Sequence, residues 1–98
     1  MSEATNGQTP EPINVYGAIA QTVEFIASLA WQKMGLQPDI ITGKIEPDMA
    51  QAKVAVDTVA MLVEILEPHL DEESDKRKVQ NLVRDLRVNY VEKSGESK

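Results

Sequence analysis

Residues 13–34, INVYGAIAQTVEFIASLAWQKM, follow a helical period yet are apolar around most of their circumference. At 100° per residue, Asn14, Gly17, Gln21, Glu24, Ser28 and Gln32 fall in one polar stripe of roughly 80–100°. Phe25, Ile26, Leu29, Ile19, Val23, Tyr16, Trp31 and several alanines fill nearly all the rest, interrupted by Thr22 and Lys33. A surface helix needs an apolar stripe of only about 100°. The pattern therefore predicts a helix covered on two sides, with a second copy of the protein as one cover. Asn14 is a good N-cap. The helix should end at Met34, with Gly35 in the left-handed position and Leu36 supplying the apolar contact of a Schellman stop.

A second helix is predicted over 47–67, with Pro47 at its first helical position, where a missing N–H costs nothing. Its main apolar face holds Met49, Ala52, Ala55, Val56, Val59, Ala60, Leu62, Val63 and Leu66. A thinner stripe of Val54, Met61 and Ile65 lies apart from it, so this helix too has more apolar surface than one neighbour can cover. In the loop between the helices, Ile40, Ile41 and Ile45 are expected to fold onto the helices, and Asp39 to close an Asx-type turn. A third helix is predicted over 72–92 with Asp71 as N-cap. Its apolar positions Val79, Leu82, Val83, Leu86 and Tyr90 span about 100°, the pattern of a one-sided surface helix.

Short links make sequential helices antiparallel neighbours. The expected architecture is all-α: a helical hairpin plus a third amphipathic helix, one domain over 13–93, completed by homodimerisation. Residues 1–12 read as a disordered lead-in and 94–98 as a frayed tail.

Composition narrows the function. The 98 residues include no cysteine, so neither a disulfide frame nor a thiolate zinc site is available, and a reducing cytoplasm is the expected compartment. Net charge is −6. Residues 1–68 hold nine acids and three bases, residues 69–98 seven of each, and neither part has the cationic excess that drives binding to a phosphate backbone. No nucleic-acid partner is expected. Gln21, Glu24, Gln32 and Lys33 break the first apolar segment, which argues against a membrane span. The start lacks the basic residues and apolar run of a signal peptide. His69 is the single histidine, beside Glu64, Glu67 and Asp71. One histidine without metal-ligand spacing reads as a solvent-facing or C-capping residue, not as a metal ligand.

The loop residues Gly35-Leu36, Pro38-Asp39 and Thr42-Gly43 stand out together with Ala52-Lys53, Val56-Asp57, Leu86-Arg87 and Tyr90-Val91. As a set, across residues 13–92, they resemble a family of short bacterial proteins known as a domain of unknown function, DUF1844. The resemblance implies a cytoplasmic helical protein and carries no activity. The run EESDKRK at the start of the third helix departs from the family's usual pattern.

No polar pair is placed by a motif to transfer a proton or attack a carbonyl, so the expectation is a non-enzymatic, self-associating interaction or scaffold module without a cofactor. Its self-association surface is expected at Tyr16, Ala20, Val23, Ala27, Ala30, Trp31 and Met34, where small residues flank a large aromatic anchor. Arg77, Arg84 and Arg87 form a basic band that could face an unidentified protein partner, with Arg87 placed to bridge to an acid of another helix. The alternative is a binder of a small apolar ligand between the first two helices. On the self-association reading, Trp31→Ala or Ala27→Glu dissociates or unfolds the protein, which size-exclusion chromatography with light scattering would report.

Overall fold

The computed structural model describes residues 11–96. The remainder of the expected lead-in (1–10) and of the tail (97–98) lies outside the described residues. Three helices follow in order: α1, Val15–Lys33; α2, Met49–Leu66; and α3, Glu73–Glu96, with a short 3-10 turn, Glu67–His69, after α2. No strand occurs among the described residues. α1 and α2 pack along their length as a hairpin, and α3 lies mainly on α2 and barely meets α1.

Local chemistry explains the helix ends. The Asn14 side chain accepts from the Tyr16 and Gly17 N–H groups at 2.9 and 3.2 Å, filling two of the donors a helix start leaves open. At the other end Gly35 N–H donates to Gln32 and Leu36 N–H to Trp31, the paired bonds of the expected Schellman stop, with Gly35 at φ +83°. Pro47 lies just outside α2, not in its first turn. Asp48 is the cap, accepting from Gln51 N–H at 3.1 Å. A side-chain acceptor here outweighs the preference of proline for the first turn. In α3 it is Glu72, not Asp71, whose carbonyl takes the first helical N–H groups, from Asp75 and Lys76. The helix also runs through Ser94 and Gly95, which were expected to fray.

Val23, Ala27, Ala30 and Met34 from α1 meet Ala52, Val56, Val59 and Val63 from α2 and Leu86 from α3 in one core. Ala30, Ala52, Val59 and Leu86 are wholly buried. Val79, Leu82, Val83 and Tyr90 pack against this cluster, as the one-sided pattern of α3 requires. About two turns into α3, Gln80 Nε2 donates to the carboxylate of Glu67, the first residue of the 3-10 turn after α2.

Two glycines should respond differently to alanine. Gly35→Ala places a Cβ 3.3 Å from Pro47 Cβ in a left-handed backbone, so a loss of about 1–2 kcal/mol is expected. Gly43, at φ +74° with open space around it, bears the backbone strain alone and should cost less. Thermal unfolding of the two variants gives the order.

Candidate functional site

The expected self-association surface divides once it is placed in space. Val23, Ala27, Ala30 and Met34 are buried inside the subunit against α2. Ala20 and Trp31 are half-buried, Trp31 against the same core. Tyr16 stays partly exposed and stacks on His69, ring centroids 4.5 Å apart and 17° from parallel. That stack closes the open end of the hairpin, where α1 begins and α2 has just ended, and gives the lone histidine an aromatic partner. The seven residues are thus largely intrachain core. The reason is geometric: small side chains let α1 and α2 approach closely, so this face is taken by the nearest helix in the same chain. Trp31→Ala and Ala27→Glu would consequently damage the subunit itself and cannot diagnose association.

The surplus apolar surface emerges elsewhere, along the flank of the hairpin away from α3. Val79, Leu82, Val83 and Tyr90 of α3 pack on the core from one flank, and no described residue of α3 lines the groove on the other. On the other flank, Ile26, Leu29 and Lys33 of α1 face Ala50, Gln51, Val54, Ala55 and Thr58 of α2 across an open groove of ≈ 450 Å³. The helical period carries this stripe onward through Thr22 and Val15 on α1 and through Met61 and Ile65 on α2. Phe25 borders the groove, about 40° round α1 from Leu29. Val15, Phe25, Val54, Met61 and Ile65 are each more than half exposed. Of these, Val54, Met61 and Ile65 form the second stripe read from the sequence.

The hydroxyls of this flank are already satisfied. Thr22 Oγ1 donates to Ala18 O at 2.8 Å and Thr58 Oγ1 to Val54 O at 2.7 Å, so neither hydroxyl needs water. Gln51 Nε2 donates to Asp48 Oδ2 at 3.0 Å. What the groove presents is methyl groups, methylenes and one ammonium, that of Lys33. Covering its apolar part would strand neither threonine hydroxyl, and an unsatisfied buried donor is what usually makes burial costly; the Lys33 ammonium has to stay at the solvated rim.

The loop after α1 is ordered by polar contacts. Asp39 Oδ1 accepts from Ile41 N–H at 2.7 Å and Thr42 N–H at 3.0 Å, the expected Asx turn. Gln32, buried though polar, accepts Ile40 N–H on Oε1 at 3.0 Å, and Asp48 N–H returns to Lys33 O at 2.7 Å. The isoleucines do not fold onto the helices as expected: Ile40 is 74%, Ile41 87% and Ile45 56% exposed. The turn bonds fix the loop backbone with Ile40 and Ile41 outward, while Ile45 only brushes Gly35 beside the end of α1.

Arg77, Arg84 and Arg87 are all exposed. Arg84 Nε lies 3.7 Å from its neighbour Asp85, and among the described residues Arg77 and Arg87 enter no ion pair. The bridge expected from Arg87 to another helix is not formed. The Arg87 side chain is turned to solvent instead. Among the described residues no three His, Asp or Glu side chains are grouped so that they could hold a metal ion, and no described helix is long and apolar enough to cross a membrane.

The sequence model of the family described as Domain of unknown function (DUF1844) matches residues 18–92, most of the chain, and the chain belongs to that family. No curated protein and no solved structure matches it.

The N–H groups of Thr42 and then Ile41 hold the Asp39 carboxyl below its ordinary 3.8. Its folded value is depressed, so the turn bonds contribute fully above pH 3.8 and are lost as pH falls through the lower folded value. An NMR titration should show the Ile41 and Thr42 amide shifts moving together with a midpoint below 3.8. In Asp39→Asn, which keeps the acceptor oxygen, that titration should vanish while the loop holds its conformation.

Proposed function

We propose that this member of a family without assigned chemistry acts as a self-associating helical interaction module, a scaffold component of the reducing cytoplasm and not a catalyst. The observation that carries the reading is the open flank of the α1–α2 hairpin, apolar along its length and with its hydroxyls turned back onto their own helices. α1 is 19 residues long, or ~28 Å, and two helix diameters are ~20 Å. Such a flank would bury on the order of 600 Å² per copy, about 1,200 Å² in total, the lower end of the range for specific complexes. A monomer that left it open would expose a patch at the upper limit of what soluble proteins tolerate.

One observation favours a second reading. A groove of ≈ 450 Å³ lies within the usual volume of small-molecule sites, so an apolar ligand between α1 and α2 would also cover it. Native mass spectrometry separates the two: the first reading expects a mass of two chains, the second a single chain with an added small mass.

Light scattering over a dilution series is the direct test of association, with a dimer expected at micromolar concentration and a thermal midpoint that rises with concentration. Met61→Glu puts a charge on the exposed flank without entering the core. It should give a folded monomer with unchanged helical circular dichroism. A wild type that stays monomeric at every concentration overturns the reading.

A further inference from the structure

We infer that two copies pair face to face about a two-fold axis, with the Phe25 ring of each seated in the α1–α2 groove of the other. The inference rests on the self-association proposed above and specifies its occupant. A two-fold contact requires that a surface carry both a projection and the recess that receives it. This flank carries both, side by side. Phe25 is 59% exposed and adjoins a groove floored by small side chains, Ala50, Ala55 and Thr58.

The sizes agree. A cavity of roughly 150 Å³ takes a benzene ring, so ≈ 450 Å³ holds a phenyl ring with room for neighbouring apolar side chains from the same stripe. The chemistry agrees as well. The recess is apolar, the Thr58 hydroxyl is bonded to Val54 O at 2.7 Å and directs no polar hydrogen inward, and Lys33 lines the groove as its one charge. A phenyl ring entering there breaks neither the Thr58 nor the Gln51 hydrogen bond, provided the flexible Lys33 side chain keeps its ammonium in solvent. Joining two hairpins along these flanks makes a four-helix core of α1 and α2 from each copy, a packing that short antiparallel helices commonly adopt. Both α3 helices remain outside, on the flanks they already cover.

Phe25 is the single phenylalanine in the chain, which makes a direct test clean. Protein labelled only in its phenylalanine ring is mixed with protein labelled only in valine, alanine and threonine methyls, and intermolecular NOEs are recorded. Contacts from the ring to the methyls of Val54, Ala55 and Thr58 are expected, and Phe25→Ala should weaken dimerisation about 30-fold or more, the effect of an interface hot spot. Because Phe25 lies outside the core, this variant should keep its fold when dilute. A dimer by light scattering whose Phe25 ring shows no such contacts, or a Phe25→Ala dimer as tight as the wild type, overturns this inference and leaves self-association standing. A wild type monomeric at all concentrations overturns both.

Discussion

Alanine at positions 27, 30 and 52 lets α1 and α2 approach closely, and that approach governs the rest of the molecule. With Ala30 and Ala52 wholly buried and Val23, Val56, Val59 and Val63 packed around them, the seam is narrow and well filled. A narrow seam between two cylinders covers only the facing stripe of each. Both helices have wider apolar surfaces than that, so the excess falls on the two flanks of the hairpin. α3 covers one flank. The other remains, and its extent follows from how little the seam needs.

The two flanks differ in how they meet water. Against α3, apolar side chains of an amphipathic helix enter the core, and Leu86 is completely hidden. On the open flank the side chains are as apolar, but the backbone carbonyls of Ala18 and Val54 absorb the only hydroxyls that could have held water there. Threonine on a helix has a choice between solvent and the preceding turn. Both flank threonines take the preceding turn, which leaves a surface ready to be dried.

Much of the fold could be read from residues alone. Asn14, the Gly35-Leu36 stop, the Asp39 turn and the one-sided spacing of α3 each rest on local chemistry, and each appears as expected. The errors arise where two local signals compete or where distance matters. Pro47 and Asp48 both mark a helix start, and only the position of the side-chain acceptor decides between them. Ile40, Ile41 and Ile45 are apolar enough to suggest burial, but whether a helix lies within reach depends on how the turn aims the backbone. The seven residues expected at a self-association surface are the instructive case. The sequence pattern shows that α1 has two apolar sides and α2 a spare stripe, but not which side of α1 meets α2. Small residues gave the stronger signal for contact, and the contact they make is within the chain. Phe25, Thr22 and Thr58 were visible on the wheel, but the hydroxyl directions that matter there require coordinates.

Because α3 rests almost entirely on α2, the molecule contains a seam along which it can come apart in stages. The hairpin is a local unit closed by a braced connection, and its core residues come chiefly from α1 and α2. Helix α3 contributes one wholly buried residue, Leu86, and a half-buried stripe from Val79 to Tyr90, about half of its 24 residues. Its release would free one flank and leave the α1–α2 pairing intact, a sub-global opening of lower cost than complete unfolding. Native-state hydrogen exchange would then resolve two cooperative blocks, the amides of α3 exchanging as one set ahead of those in the hairpin.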